Sequence, residues 1–269
     1  MNHKKLQFVF YISLLCIIAC NNNNNEETNS NNYDPTLLNY TVTATYPHDT
    51  SAYTEGLEWH DGFLYESTGD INYSGKSKVV KFNLQTGKVL QEIKLDKKYF
   101  GEGITLLNGK LYQMTYKENK CFVYDATTFK KINEFTYDGE GWGFTNNGRQ
   151  LIMSNGSSTI YFRNPNDFSV LKTITVSNNY GPLSNINELE LVDGFLFANV
   201  WTTKKIIKID TTSGKVVAEI NFDDLLTKYA SDAYLGNVDV LNGIAYDSVG
   251  KRFFITGKYY PKIFEVKFH

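Results

Sequence analysis

The chain has 269 residues, of which 42% are hydrophobic and 15% aromatic, so it can bury a full core. Lys and Arg number 27 against 29 Asp and Glu, and the formal net charge of -2 provides no basic field for nucleic acid. No metal-ligand spacing links the four histidines, which are His3, His48, His60 and His269, and this disfavours a transition-metal site.

The N-terminal residues have the pattern of an export signal. His3-Lys4-Lys5 is basic, and the apolar run Leu6 to Ala19 is short for a membrane-spanning helix. The run ends in Ile17-Ile18-Ala19-Cys20, which resembles the lipobox of bacterial lipoproteins. That resemblance implies a signal peptide of residues 1–19, diacylation of the Cys20 thiol and anchoring in the cell envelope, for which we expect the outer membrane. An ordinary secretory signal with an incidental Cys20 is the alternative.

Residues 20–36 are predicted to form a polar tether behind this anchor. Asn21 to Asn32 contains no apolar residue that could be buried, so we expect this segment to be disordered. After cleavage, Cys121 is the only other cysteine, which excludes an intramolecular disulfide framework. Its apolar neighbours, Phe122-Val123-Tyr124, favour a buried structural thiol over a nucleophile.

A short phrase recurs five times along the chain, and each copy leads through a turn into an apolar strand. The copies are separated by roughly 38 to 55 residues, which is the size of one four-stranded blade of a β-propeller. They begin at Glu55-Gly56-Leu57, Glu102-Gly103-Ile104, Glu140-Gly141-Trp142, Asn187-Glu188-Leu189 and Asn242-Gly243-Ile244.

Further strands fill the rest of each repeat. Val79 to Leu84 alternates with a period of two, and a turn at residues 85–88 leads into a second strand, Val89 to Leu95. The same unit of strand, turn and strand returns at residues 206–220. Each repeat is therefore predicted to contain four strands.

The two ends of the repeat region complement one another. The fifth repeat ends after its third strand, Lys262 to Phe268, whereas Asn39 to Tyr46 precedes the first repeat without a partner. We therefore predict an all-β domain over residues 37–269, a five-bladed β-propeller whose ring is closed by the N-terminal strand completing the last blade. The longest gap between repeats predicts a helix within residues 222–233.

The opening phrases are the candidate functional positions of such a fold. The innermost strand of each blade lines the central channel, and the residues that begin this strand or follow its neighbour lie at the channel mouth. These positions differ between the repeats and combine aromatic with polar residues, which is typical of a small-ligand pocket. They are Tyr53, Glu55, Phe100, Glu102, Tyr116, Glu140, Trp142, Asn187, Trp201, Asn242 and Lys258.

Short segments around these positions occur in a characteristic order from about Tyr46 to Phe268. They are Ala52 to Leu57, Tyr65 to Gly69, Phe100 to Ile104, Gly139 to Gly143, Ile186 to Glu190, Ala198 to Trp201, Leu241 to Ala245 and Thr256 to Lys258. Each segment alone is weak, but the ordered set resembles the plant-type glutaminyl cyclases, a family that plants and some bacteria share.

The resemblance implies a five-bladed propeller enzyme that cyclises the N-terminal glutamine of peptides or proteins to pyroglutamate and releases ammonia. It implies no cofactor for catalysis, in contrast to the zinc-dependent animal-type cyclases, and it leaves room for a structural calcium in the channel. We expect a monomer that binds peptides and no nucleic acid, and that meets the membrane only through the lipid at Cys20.

By the same motif match, Glu102 is the carboxyl that takes a proton from the attacking amine and returns it to the departing ammonia. Asn187 binds the carboxamide or the oxyanion, and Lys258 stabilises the oxyanion or orients Glu102. The structural alternatives are a brace of the inner strand for Glu102 and a solvent-exposed strand end for Lys258. The match also gives a substrate-binding wall, for which core packing is the alternative: Tyr53, Glu55, Phe100, Tyr116, Trp142 and Trp201.

Several positions depart from the family pattern. Tyr53 replaces the usual Phe, while Tyr116 and Tyr260 replace Trp, and Tyr260 is expected at the pocket rim. Glu55 replaces the usual Gln and brings a second carboxyl near Glu102, which would raise the pKa of one of the pair. We expect activity to survive with an altered pH profile.

Two other functions are compatible with the same residues. The first is a non-catalytic propeller lipoprotein that binds peptides or glycans, and Glu55 alone favours it. The second is a metal-dependent propeller lactonase or hydrolase, which requires carboxylate and amide ligands to converge on one ion. Its candidate ligands are Glu55, Glu102, Asn187 and Asn242.

Overall fold

The computed structural model describes residues 34–269, so the predicted signal peptide, Cys20 and nearly all of the tether lie outside the described residues. Two strands come first, β1 (Thr36–Leu38) and β2 (Tyr40–Pro47). Three antiparallel four-stranded sheets follow, which we call blades 1 to 3. Blade 1 contains β3 (Thr54–His60), β4 (Phe63–Thr68), β5 (Lys78–Phe82) and β6 (Val89–Lys94). Blade 2 contains β7 (Gly101–Leu107), β8 (Lys110–Thr115), β9 (Lys120–Asp125) and β10 (Lys131–Thr136). Blade 3 contains β11 (Phe144–Asn146), β12 (Leu151–Met153), β13 (Thr159–Arg163) and β14 (Val170–Thr175).

The second half of the chain adds two more sheets and a helix. A small hairpin of β15 (Ser177–Asn178) and β16 (Gly181–Pro182) precedes blade 4. The helix α1 (Leu225–Tyr229) follows blade 4 and lies inside the segment that was predicted to be helical. Blade 4 contains β17 (Ile186–Val192), β18 (Phe195–Val200), β19 (Lys205–Asp210) and β20 (Val216–Asn221), and blade 5 contains β21 (Leu241–Asp247), β22 (Arg252–Gly257), β23 (Lys262–Phe268) and β2.

The innermost strands of the blades pack side by side in a closed ring. The ring runs in the order β3, β7, β11, β17 and β21 and returns to β3. The all-β, five-bladed propeller predicted from the repeats is therefore confirmed. β2 pairs antiparallel with β23, from Tyr40 opposite Phe268 to Pro47 opposite Lys262, and is the outer strand of blade 5. β1 pairs in parallel with β20 and adds a fifth strand to blade 4, although the tether was predicted to extend to residue 36.

Apolar side chains fill the layers between neighbouring blades. Between blades 5 and 1, Leu57 packs with Phe254 and Ile263. Cys121 is buried in the layer between blades 2 and 3, where burial raises the pKa of its thiol. The prediction that Cys121 is a buried thiol is confirmed, and the raised pKa keeps it protonated and unreactive at neutral pH.

The glycines of the repeated phrase let the backbones of adjacent inner strands touch. A Cβ atom added to Gly56 would lie 2.7 Å from the backbone nitrogen of Ile104 in blade 2. A Cβ added to Gly143 would lie 2.0 Å from the carbonyl oxygen of Asn187 in blade 4, and Gly103 approaches blade 3 in the same way. Any larger residue would push the next blade outwards, because packed interiors leave no room for an added carbon.

The third copy of the phrase begins two residues later than the sequence indicated. In blade 2, Ile104 follows the phrase glycine and pairs with β8, and Phe144 makes the equivalent pairing with β12 in blade 3. The phrase of blade 3 is therefore Trp142-Gly143-Phe144, and the predicted Glu140-Gly141-Trp142 was wrong. Both triplets contain glycine, so the sequence alone cannot tell which one is the phrase, and only the pairing register of the sheet identifies it.

Gly143→Ala tests the importance of this close approach. The added methyl overlaps the carbonyl of Asn187, and overpacking against a backbone that cannot yield should lower the free energy of unfolding by about 3 kcal/mol. Gly62→Ala is the control, because a Cβ at Gly62 meets nothing within 4 Å and only the backbone strain of its φ of 83° is added, about 1 kcal/mol. Urea denaturation followed by circular dichroism measures both. Equal losses in the two variants would contradict the proposed packing role of Gly143.

Candidate active site

A cavity of about 230 Å³ opens where the inner strands of several blades begin. The structure brings together in it all of the residues predicted to be catalytic or substrate-binding, and it adds Ile71. Ile71 was missed because a single exposed apolar residue in the β4–β5 connection carries no pattern in the sequence. The lining is Tyr53, Glu55, Ile71, Phe100, Glu102, Tyr116, Trp142, Asn187, Trp201 and Lys258.

Irregular strand pairing places the polar residues of this pocket. The ladder between the inner strand and its neighbour shifts register at Glu55 in blade 1, at Glu102 in blade 2 and at Asn187 in blade 4. A β-bulge re-aims the side chain of the extra residue and increases the local twist. Asn242 lies in the equivalent bulge of blade 5 but does not line the cavity, since it is buried behind Glu55.

Glu55 and Lys258 form a buried ion pair in the pocket wall. The ammonium of Lys258 donates to Oε1 of Glu55 at 2.6 Å, and the two side chains are only 5% and 3% exposed. Nδ2 of Asn242 donates to the other carboxylate oxygen of Glu55 at 3.2 Å and to the carbonyl of Thr54 at 3.0 Å. The same ammonium lies 4.2 Å from the ring centroid of Tyr53. Lys258 therefore binds Glu55 directly, a contact that the motif match did not imply when it assigned Lys258 to stabilising the oxyanion or orienting Glu102.

Glu102 is buried, and its carboxyl makes no side-chain hydrogen bond to another residue within the range 34–269. Burial raises the pKa of Glu102 well above its usual range, and the neighbouring Glu55 carboxylate raises it further, while Lys258 opposes both. Burial likewise raises the pKa of Glu55 to about 7 against the effect of Lys258. The pocket therefore retains a proton on its carboxyl pair near neutral pH.

Lys258 keeps its charge in this environment. Burial lowers the pKa of its ammonium, but the carboxylates of Glu55 and Glu102 more than offset that effect, so the pKa is raised. An ammonium has three protons, and Glu55 accepts one of them. The remaining protons are available to a negatively charged group in the cavity.

Asn187 lines the pocket and has a buried acceptor that no described residue uses. Its side chain is buried, and Oδ1 has no hydrogen-bond partner among the described residues. The carbonyl oxygen of Asn187 accepts a hydrogen bond from the hydroxyl of Ser154 at 2.7 Å, which fixes the backbone of the residue. A buried acceptor without a donor typically costs about 1–3 kcal/mol.

Two aromatic groups form the walls of the cavity. The rings of Trp142 and Trp201 meet edge to face at 5.5 Å between centroids, and Trp201 is 40% exposed at the rim. Across the pocket, the ring centroid of Phe100 lies 6.1 Å from that of Tyr53 and 5.8 Å from that of Tyr116. These aromatic faces give the pocket an apolar frame around four polar groups, which are Glu55, Glu102, Asn187 and Lys258.

Tyr260 was expected at the rim, and the structure contradicts that expectation. Its side chain is 2% exposed and belongs to the core cluster of blade 5. The chain turns back after Lys258, so that the backbone N–H of Tyr260 donates to the carbonyl of Gly257 at 3.0 Å. The ring then packs over Gly257, where an added Cβ would lie 2.4 Å from it.

Among the described histidines, His48 has a buried side chain that makes structural contacts. His48 is buried, with Nε2 3.0 Å from Oε1 of Glu66 and Nδ1 2.7 Å from the carbonyl oxygen of Tyr260. Across residues 34–269, no cluster of three or more His, Cys, Asp or Glu side chains has a geometry that could hold a metal ion. No helix in the same part of the chain is long and apolar enough to cross a bilayer.

The chain matches known proteins in sequence and in fold. A family model described as glutamine cyclotransferase matches residues 12–268. A glutaminyl-peptide cyclotransferase of Arabidopsis thaliana is 38% identical over 228 residues, which cover 84% of this chain and 70% of the plant protein. The crystal structure of a Myxococcus xanthus glutaminyl cyclase superposes with a TM-score of 0.79 at 30% identity, covering 87% of this chain and 98% of that one. The resemblance inferred from the repeat phrases is confirmed, and the chain belongs to the glutamine cyclotransferase family.

Proposed function

We propose that this chain is a glutaminyl-peptide cyclotransferase, an acyltransferase that converts the N-terminal glutamine of peptides or proteins to pyroglutamate. The observation that carries the proposal is the pocket itself, in which Glu102, Asn187 and Lys258 converge within an aromatic wall.

The reaction joins two groups of the same residue. The α-amine nitrogen forms a bond to the γ-carboxamide carbon, a proton leaves that nitrogen, and the C–N bond of the carboxamide breaks to release ammonia. Because the two groups are already tethered, the pocket has only to select the cyclic conformer and move protons. The tight cavity of about 230 Å³ suits a single folded glutamine side chain with its amine.

Glu102 is the group that we assign to proton transfer. Its carboxylate accepts the proton of the attacking amine, and the resulting acid donates it to the departing nitrogen. Transfer is most efficient when donor and acceptor have similar pKa values, and an α-amine titrates near about 7.7–8.0. The raised pKa of Glu102 brings it towards that value.

Asn187 and Lys258 are assigned to the carboxamide. Asn187 lines the cavity, and its side-chain carboxamide can hydrogen-bond the carboxamide of the substrate. The free protons of the Lys258 ammonium can stabilise the negative charge that develops on the carboxamide oxygen during attack. The aromatic walls limit hydration of the substrate amine, and this favours its neutral, reactive form.

The two alternative functions receive less support from the pocket. A divalent cation bound by Glu55 and Glu102 would be repelled by the ammonium that lies 2.6 Å from Glu55. A binding module that has lost catalysis was suggested only by Glu55, and the same ion pair neutralises much of the charge of that residue. We therefore propose catalysis without a metal, and a calcium in the channel has no part in it.

The first test is ammonia release from glutaminyl dipeptides by wild-type protein and by Glu102→Gln. We expect turnover that persists in a chelator, and a fall in kcat of about 100- to 10,000-fold in the variant with KM nearly unchanged, as for loss of a proton shuttle. Glu134→Gln, a change of the same kind on the exposed strand β10, is the matched control. A folded Glu102→Gln protein with near-normal kcat would remove Glu102 from the mechanism.

Glu55→Gln tests the coupling of the carboxyl pair through the pH dependence of kcat/KM. Glu55 raises the pKa of Glu102, so its removal lowers that pKa and keeps Glu102 ionised to lower pH. Glu55 also raises the pKa of Lys258, so loss of the Lys258 proton begins at lower pH as well. Both the acidic and the alkaline limb of the kcat/KM profile should therefore shift to lower pH, while the variant stays active. An unchanged profile would show that the two carboxyls do not interact.

We propose that the enzyme is anchored in the bacterial cell envelope through lipid at Cys20. Cys20→Ser should abolish incorporation of labelled palmitate in cells and release the protein from the membrane fraction. Cys16→Ser is the matched control, because Cys16 lies inside the apolar run and should leave lipidation intact. Labelling of the Cys20→Ser protein at the level of wild type would rule out this anchor.

A further inference from the structure

A second and larger cavity adjoins the pocket. It is an open groove of about 870 Å³ that shares Tyr53 and Ile71 with the pocket wall. Most of its remaining walls come from the β4–β5 connection, from the residues that precede β3 and from the ends of β5 and β6, and Asn237 and Tyr259 complete the lining. These segments all lie on the face of the ring where the inner strands begin, which is also the face on which the pocket opens.

We propose that this groove binds the two or three residues that follow the N-terminal glutamine of the substrate. The inference rests on the proposed function and extends it from the reacting residue to the rest of the peptide. The pocket is smaller than the roughly 300–1,000 Å³ of typical small-molecule sites, so the peptide beyond its first residue must leave it. The groove lies within that range, and an extended chain advances only about 3.3–3.6 Å per residue.

The wall of the groove is held in place by Asp70. Its carboxylate accepts backbone N–H groups from Asn72, Ser74 and Lys76, together with the hydroxyl of Ser74. One side chain thus fixes the whole connection between β4 and β5. A groove that exists before the peptide arrives saves the ordering free energy that a mobile loop would lose on binding.

Tyr259 supports a role for the junction between groove and pocket. It directly follows Lys258, its ring packs 5.2 Å from that of Tyr53, and it lines the groove. Its φ of 61° lies in the left-handed region, where bulky side chains are rare and strained. The strained turn is held by a hydrogen bond from the Tyr259 N–H to the carbonyl of Ala52 at 2.8 Å. The chain therefore keeps an aromatic ring at the point where a peptide would pass.

The charges of the groove favour an acidic residue in the bound peptide. Lys78 lies 3.5 Å from Asp49 and 3.9 Å from Glu92, and Lys94 lies 3.5 Å from the same Glu92. Lys76 lines the groove as well, and it has no carboxylate within 4.0 Å in the described part of the chain. Its ammonium is therefore free to attract a carboxylate at the second or third position after the glutamine.

Steady-state ammonia release by the full-length protein tests the proposal with three substrates. They are glutaminamide and the amidated peptides Gln-Gly-Glu-Gly and Gln-Gly-Lys-Gly. We expect similar kcat values for all three substrates. The KM of the Glu peptide should be lower than that of glutaminamide. At low salt it should also be about 2- to 5-fold below the KM of the Lys peptide. Added salt should reduce this preference.

Lys76→Glu should reverse the preference between the Glu and Lys peptides and leave the kinetics of glutaminamide unchanged. Lys88→Glu is the matched control, because Lys88 is exposed in the turn between β5 and β6 of the same blade, at the opposite end of these strands from Lys76. Equal KM values for the three substrates, or an equal effect of Lys76→Glu and Lys88→Glu, would overturn the groove while leaving the cyclase intact. If the wild-type protein cyclises none of the three substrates, the proposed function is overturned, and this inference falls with it.

Discussion

The close contact between the backbones of neighbouring inner strands determines most of this structure. Glycine in the repeated phrase allows that contact, and the bulge beside it turns the preceding residue towards the channel mouth. The position before the glycine is therefore the one at which a blade can contribute a functional group without altering the ring. Glu55, Glu102 and Trp142 occupy it in blades 1 to 3, and Asn187 and Asn242 occupy it in blades 4 and 5. In blade 4 the glycine itself is replaced by Glu188, whose carboxylate accepts the backbone N–H groups of Leu57 and Ile244.

The chemistry of the pocket follows from burying two carboxyls beside one ammonium. Full ionisation of Glu55, Glu102 and Lys258 would leave one negative charge without a partner in an apolar cavity, and burial opposes this. The two carboxyls therefore share one retained proton. Glu102 has the stronger tendency to hold that proton, because Glu55 is the carboxylate that pairs with Lys258. Burial and the Glu55 carboxylate thus raise the proton affinity of Glu102, the carboxyl that we propose for proton transfer during cyclisation. Glu55, at a position where the family resemblance implies Gln, thus raises the proton affinity of Glu102.

Repetition is what made this fold predictable from the sequence. Five copies of one phrase fix the number of blades, and the ordered motifs around them point to the pocket residues. Features that occur only once were missed, because no second copy exposes them: the strand β1 on blade 4, the apolar Ile71 in a loop, and the inward turn of Tyr260. The error in blade 3 has a different cause, since the sequence offers two glycines there and only hydrogen bonding in the sheet selects Gly143. The pairing of Lys258 with Glu55 was also beyond the sequence, because it depends on which strand ends meet across the seam between blades 5 and 1.

The pocket and the groove divide the recognition of a peptide in a way that follows from the reaction. Both reacting groups belong to the first residue, so the chemical step is complete within the pocket formed around Glu102. Residues further along the peptide keep the same contacts in the ground state and in the transition state, because nothing in them moves during ring closure. Such uniform binding lowers KM and leaves kcat unchanged. The groove can therefore vary its charges, as at Lys76, without disturbing catalysis, whereas the ion pair of Glu55 and Lys258 cannot change without altering the proton affinity of Glu102. Selection among substrates and the chemistry performed on them thus rest on separate residues of the same face.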